Sequence, residues 1–514
     1  MRGIFLLYGL LVSLSFGTAP KPGPTGLGIV ATRSGRVAGG TNQAGDVAFY
    51  KGIPFAAPPV GALRWQAPQP VKPWRGVRVC QTYGPSPMQP APAPFSMWTS
   101  EFLIPRTPIS EDCLYLNVWT SARSAGARQP VLVWIYGGGF NSGGSAVPIY
   151  DGEALAQQGV VVVSFNYRVG PFGFLAHPAL TQESGHRASG NYGLLDQVAA
   201  LRWVQQNIAA FGGDPQRVTI AGQSAGGVSV SYLASSPLAK GLFGQAIAES
   251  GAGFGRALPT SPQAEQEGLR YSQALGASSL AALRQLPAAA LLQPAGQRGP
   301  VLDGYVLPTP PAEALASGQI APVKLLLGWN EHEGLLREPL RPAVAFQQQL
   351  QQRYGPQAGP LLQFYPASND AEAASSQYRL ARDLSFGLPA YRWATAQSQL
   401  RHQPVYVYRF ARKVPATGEY VQYGAFHTGE VPYVFGTLGA VNRPWEPGDY
   451  NLAHTIMAYW VNFVRTGDPN GPGLPAWPAY QPASPQVMLL DLHPAARALP
   501  NQAELDLLRT LPGS

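Results

Sequence analysis

The segment Gly222-Gln223-Ser224-Ala225-Gly226 sets a serine between two glycines, the pattern of a nucleophile elbow. A hydroxyl held at the tip of a strand-turn-helix can attack a carbonyl, but the turn strains the backbone and leaves no room for side chains two residues to either side. Glycine at both flanks meets that demand. Upstream, Arg217-Val218-Thr219-Ile220-Ala221 is a β-branched run suited to a buried strand, and residues 227–234 can continue as a packed helix.

A serine alone is a weak nucleophile; it needs a base, an acid to orient that base, and donors for the oxyanion. On such a scaffold the partners follow in the order serine, acid, histidine. The loop Gly328-Trp329-Asn330-Glu331-His332-Glu333-Gly334 offers two acids, Glu331 and Glu333, which physics alone does not separate. Of seven histidines, only His427, in Gly424-Ala425-Phe426-His427-Thr428-Gly429-Glu430, has both the order and a loop setting. His177, His186 and His332 precede or adjoin the acid, His402 precedes its strand, and His454 and His493 fall on a helix and in a late proline-bearing stretch. Gly137-Gly138-Gly139 ends an apolar run and can aim backbone N–H groups at one point, with the N–H of Ala225 as a third donor. This chemistry calls for no metal and no cofactor.

The elements that must position these groups are legible as continuous apolar runs, the mark of strands covered on both faces. They are residues 131–136, 160–165, 323–328 and 405–410, with a helix from about Asn191 to Ile208 between the second run and the elbow. Together they predict a large, mostly parallel central sheet flanked by helices. A further helix is expected over 453–464, closed by Gly467-Asp468-Pro469. The loop from Cys80 to Cys113 and the stretch from about Ala252 to Gln319 read as insertions over the strand ends.

Hydrophobic residues make up 45% of the 514 and charged residues 12%, enough for an extensive core. The formal charge of +8 comes from residues spread along the chain, without the Lys/Arg cluster that tracks nucleic-acid phosphates. Arg2, the apolar stretch to Phe16 and the small residues Ser15 and Gly17 read as an export signal over 1–17. Residues 18–26 then form a flexible leader, and 27–510 a single domain. The expected location is outside the cell or in the periplasm or envelope. In that setting the only two cysteines, Cys80 and Cys113, are expected to pair as a disulfide.

Five further blocks join the elbow: Ile135-Tyr136-Gly137-Gly138-Gly139-Phe140, Glu111-Asp112-Cys113-Leu114-Tyr115-Leu116-Asn117-Val118, Asn166-Tyr167-Arg168-Val169-Gly170, Gly190-Asn191-Tyr192-Gly193-Leu194-Leu195-Asp196-Gln197 and Phe211-Gly212-Gly213-Asp214-Pro215. With these blocks in the family's order, from about Gly28 to Leu492, the chain resembles the type B carboxylesterase and cholinesterase family. The resemblance implies an α/β-hydrolase fold and a serine hydrolase of carboxylic esters. It implies Glu333 as the acid, His427 as the base, Gly138, Gly139 and Ala225 as oxyanion donors, and Ser250 as a serine that steadies the acid. It also implies the Cys80–Cys113 disulfide, and a substrate pocket formed with Phe140, Gln223 and Trp98. One departure concerns the residue before the nucleophile, acidic in cholinesterases and Gln223 here. Trp98 could still offer a cation–π face, so a choline-ester hydrolase stays an alternative to generic ester hydrolysis. A non-catalytic adhesion relative is the other alternative, disfavoured because Ser224, Glu333 and His427 are all present. The expected partner is a small-molecule ester, with no nucleic acid and no stable membrane span.

Overall fold

The computed structural model describes residues 27–255, 257–293, 299–336, 338–400 and 403–511. The expected signal and leader lie outside the described residues. The central sheet is built from β1 (Gly40–Thr41), β2 (Ala48–Pro54), β3 (Tyr115–Thr120), β4 (Gln129–Ile135), β5 (Val161–Phe165), β6 (Gly213–Gln223), β7 (Gln245–Glu249), β8 (Lys324–Asn330), β9 (Val405–Phe410), β10 (Gln486–Leu490) and β11 (Ala495–Ala498). Across the sheet the order is β11-β10-β9-β8-β7-β6-β4-β5-β3-β2-β1. Pairing is parallel from β5 through β4 to β10 and antiparallel at both margins. β5 and β9 are buried at every position, and β4 and β8 at all but the first. The absence of alternation follows from helices covering both faces.

Those helices include α1 (Tyr192–Asn207), α2 (Ala225–Ser235), α3 (Ala343–Tyr354), α4 (Asp370–Arg382), α5 (Leu388–Leu400) and α6 (Pro447–Thr466). α2 packs on β6 and β7, α5 on β8 and β9, and α6 on β4 and β6. α6 begins six residues before the apolar run that announces it, because Glu446 and Asp449 form a capping box around Pro447. It ends at Gly467, whose φ of +80° closes the helix in the left-handed region.

The described residues of the stretch 252–319 include helices Ser261–Ala274, Leu280–Gln285 and Ala288–Leu291, which contribute to a satellite core of Trp65, Phe172, Leu175, Tyr271, Leu283 and Leu291. Most of the cover over the strand ends comes instead from residues 331–404, between β8 and β9, as α3, α4, a π-turn (Asp383–Gly387) and α5. No helix among the described residues is long and apolar enough to cross a membrane.

Cys80 and Cys113 are both buried, with no sulfur–sulfur bond between them. Cys80 is pinned beside β2, its N–H donating to Ala38 O at 2.7 Å and its carbonyl accepting from Lys51 N at 2.8 Å. Cys113 leads into β3 and borders a small cavity with Met88 and Arg168, which Cys80 does not line. Burial pushes the Cys80 thiol up to about 11 and Cys113 well above its ordinary value.

Candidate active site

Ser224 lies between the end of β6 and the first turn of α2, at φ 59°, ψ −124°. Its N–H donates to Glu249 O at 2.8 Å, and its carbonyl accepts from Val228 N at 2.9 Å. The flanking glycines are sterically required. A Cβ at Gly226 would lie 1.9 Å from Ile135 O, and one at Gly222 would lie 2.6 Å from the Gly226 carbonyl carbon. The chain therefore folds sharply under the serine and leaves its side chain partly exposed.

His427 and Glu333 meet across 94 residues of sequence: the imidazole Nδ1–H donates to Glu333 Oε2 at 2.6 Å, with both side chains almost fully buried. Glu333 Oε1 accepts from the N–H of Asn330 at 2.8 Å, the last residue of β8. Glu331 is taken up elsewhere, by Arg382 at 3.0 Å and Arg409 at 2.6 Å, and those guanidiniums hold its carboxyl below the ordinary range despite burial. The two acids thus have separate tasks. The imidazole lies against Phe386 (ring centroids 4.9 Å) and edge-on to Trp98 (6.2 Å). On its far nitrogen, the amide of Gln223 donates to Nε2 at 3.2 Å. Ser224 Oγ itself forms no hydrogen bond with His427.

Beneath this pair sits a buried carboxyl cluster. Glu430 accepts from Asn330 Nδ2 at 2.6 Å and Glu249 from Trp460 Nε1 at 2.7 Å. Burial pushes Glu430 up to about 7, the Glu333 charge adding to the effect, and burial raises Glu249 well above its ordinary value with Glu430 adding to it. Burial thus favours the protonated form of both carboxyls. The second oxygens of Glu249 and Glu430, the hydroxyls of Ser250 and Tyr408 and Asn330 Oδ1 are all buried without a protein partner, a polar set of the kind that internal water serves.

Opposite the elbow, Gly138 and Gly139 have φ of +116° and +63°. The Gly138 carbonyl is occupied by Asn141 N and Ser142 N, while both glycines stay exposed. Ala225 opens α2, where the first N–H groups of a helix have no intrahelical acceptor. Gly139, Ala225 and Ser224 line one cavity of about 570 Å³ together with Phe140, which is fixed edge-on to Phe174 at 5.3 Å.

Three expected neighbours stand differently. Ser250 lines the cavity, but its hydroxyl makes no hydrogen bond to Glu333; the Asn330 N–H steadies the acid instead. Gln223 is buried on the imidazole and is not among the cavity residues. Trp98 is likewise not among them; it donates from Nε1 to Thr428 Oγ1 at 3.2 Å and packs at a tilt against Phe95, ring centroids 4.8 Å apart.

The carboxylesterase family model matches residues 27–508. The chain belongs to the carboxylesterase family. It is 40% identical over 477 residues to the fumonisin B1 esterase of Sphingopyxis macrogoltabida, covering 88% of this chain and 84% of that protein. It is 39% identical over 491 residues to the para-nitrobenzyl esterase of Bacillus subtilis, covering 90% and 94%. A solved PNB esterase superposes with a TM-score of 0.81 at 37% identity, over 93% of this chain and 98% of the other. The chain is a carboxylic ester hydrolase with an α/β-hydrolase fold.

Several residues of this carboxylesterase's site carry no local sequence signal. Phe386 lies in a π-turn inside an otherwise helical stretch, and nothing in its neighbours points to an imidazole. Asn330 acts through its backbone N–H, which no side-chain pattern reveals. Glu430 was within reach, three residues beyond His427 and facing the same buried space.

Proposed function

We propose that Ser224, His427 and Glu333 form a catalytic triad that cleaves carboxylic esters through an acyl-enzyme. The observation that carries this reading is the 2.6 Å bond from His427 Nδ1–H to a buried Glu333, next to a serine in a strained elbow. Nε2 exchanges the Gln223 amide for the Ser224 hydroxyl and takes its proton as Oγ attacks the ester carbonyl. The oxyanion is received by the N–H groups of Gly138, Gly139 and Ala225. Collapse breaks the bond to the alcohol oxygen, which leaves with the proton from Nε2. Water then gives a proton to Nε2, attacks the acyl-enzyme, and releases the acid and free Ser224. Glu333 holds the imidazole throughout and stabilises its charged form.

General carboxylic esters fit better than choline esters: the residue before the nucleophile is an uncharged amide engaged with the base, and Trp98 is not among the residues that line the cavity. The para-nitrobenzyl and fumonisin B1 esterases bear names of quite different esters, which supports a broad substrate class. Residues 1–17 are proposed to direct export, with 27–510 acting as one unit outside the cell or in its envelope; N-terminal sequencing of the secreted protein tests this. The decisive experiment on the chemistry is Ser224→Ala. It is expected to abolish organophosphonate labelling and to cut turnover of 4-nitrophenyl esters by about a million-fold; residual labelling at the wild-type rate would refute the assignment.

A further inference from the structure

The catalytic cavity is not uniform. Its lining includes Phe140, Val228, Leu384 and Phe386, which suit hydrocarbon. The charged side chains among its described lining residues come from α3 and the segment that leads into it: Glu338, Arg341 and Arg353. Glu338 is already committed, its Oε2 accepting from Arg341 at 2.7 Å and from Gln349 at 3.2 Å. The Arg341 backbone is locked to Gln377 in both directions at 2.9 Å, which fixes this polar wall to α4. Arg353, one turn beyond Gln349, forms no ion pair with a described carboxylate and rests 5.2 Å from the ring centroid of Tyr354. Two guanidiniums thus share the lining with one carboxylate, so the charged side chains among the described lining residues leave a surplus positive charge in the cavity that also holds Ser224.

We infer that the enzyme prefers esters carrying a second, ionised carboxylate separated from the scissile ester by an apolar segment. This inference rests on Ser224 being the nucleophile. The planar forks of Arg341 and Arg353 match a carboxylate in two-point geometry, and the apolar walls take the chain between. Both arginines are exposed, so the preference is modest and sensitive to salt.

The test uses the full-length enzyme and pairs of substrates that differ only in charge. One pair is the 4-nitrophenyl half-ester of octanedioic acid and the same compound with its free carboxylate methylated. The other puts the carboxylate on the alcohol side, as 7-carboxyheptyl acetate and its methyl ester. The expected result is a kcat/KM ratio of charged to uncharged substrate of about 3 to 10 at low salt in at least one pair. That ratio should fall towards one in Arg353→Gln and Arg341→Gln, drop below one in Arg353→Glu, and shrink in 0.5 M salt. Ratios at or below one in both pairs, or a ratio that ignores both arginine substitutions, overturn the inference while the uncharged esters still report an intact triad. If Ser224→Ala hydrolyses the uncharged esters as fast as wild type, the nucleophile assignment fails and the inference falls with it.

Discussion

Glu430→Gln isolates the proton held beneath the active site. Glu430 is buried, and its carboxyl is displaced from 4.5 to about 7, first by burial and then by the charge of Glu333. Because the folded-state value lies above the unfolded one, the stabilisation is complete below about pH 4.5 and is lost as pH rises through about 7. At about 1.4 kcal/mol per pH unit the full gap corresponds to about 3 kcal/mol, of which about 2 to 3 kcal/mol falls between pH 5 and 8. Glutamine keeps an oxygen to accept from Asn330 and cannot ionise. Its amide also brings donors to a region where an oxygen of Glu249 and the hydroxyl of Tyr408 lack partners. The variant should therefore match wild type near pH 5 and exceed it by about 2 kcal/mol near pH 8. Urea midpoints at pH 5, 6, 7 and 8, with the slopes compared to check two-state behaviour, measure this. Other titrating groups contribute to both proteins and largely cancel in the difference. Parallel pH profiles for the two proteins would show that Glu430 is ionised throughout, and the account of the cluster would be wrong.

Glu333→Gln removes the acceptor that orients the imidazole and is expected to lower kcat on 4-nitrophenyl esters by about ten-thousand-fold; a loss under ten-fold would remove Glu333 from the triad. Gly138→Ala would set a Cβ 2.2 Å from Ser142 O at a φ of +116°, so the oxyanion loop must shift. We expect kcat to fall about 100- to 1,000-fold with the circular dichroism spectrum retained, and a wild-type kcat would rule out this loop as the oxyanion site. Trp460→Phe deletes the 2.7 Å hydrogen bond to Glu249 and should destabilise the fold by about 1 to 3 kcal/mol, read as a lower urea midpoint; an unchanged midpoint would mean that another donor serves Glu249.

The parts of this molecule that were legible in sequence are those governed by local rules. Continuous apolar runs gave the central strands, and glycines two residues either side of Ser224 announced a turn whose carbonyl contacts tolerate no Cβ. Chain order narrowed the base to His427. Local rules could not separate Glu331 from Glu333, because the answer lies with Arg382 and Arg409, some 50 and 80 residues further on. The Cys80–Cys113 pairing rests on compartment, count and family resemblance, none of which speaks to geometry; Met88 shares the small cavity beside Cys113. Cover over the strand ends was sought in the two proline-rich insertions. The segment after β8 supplies most of it, because its helices turn Phe346, Leu380 and Leu384 into the cavity while showing solvent an ordinary polar face.

The positions of strain explain why the site can be both open and rigid. Phe140, Ser224, Ser250 and Thr428 all adopt positive φ without being glycine, and each such residue costs about 1 to 3 kcal/mol unless its surroundings over-determine it. Here they do. Ser224 N–H is bonded across to Glu249 O on β7, and Ser250 N–H to Gly328 O on β8, so each strained residue is anchored to the neighbouring strand of a parallel ladder. The Phe140 carbonyl is held by Gly170 N at 2.7 Å. The ladder passes from the serine through β7 to β8, where Asn330 N–H grips Glu333. The spacing between Ser224 and Glu333 is thus tied to strand register, with His427 bonded to Glu333 on one side and to Gln223 on the other.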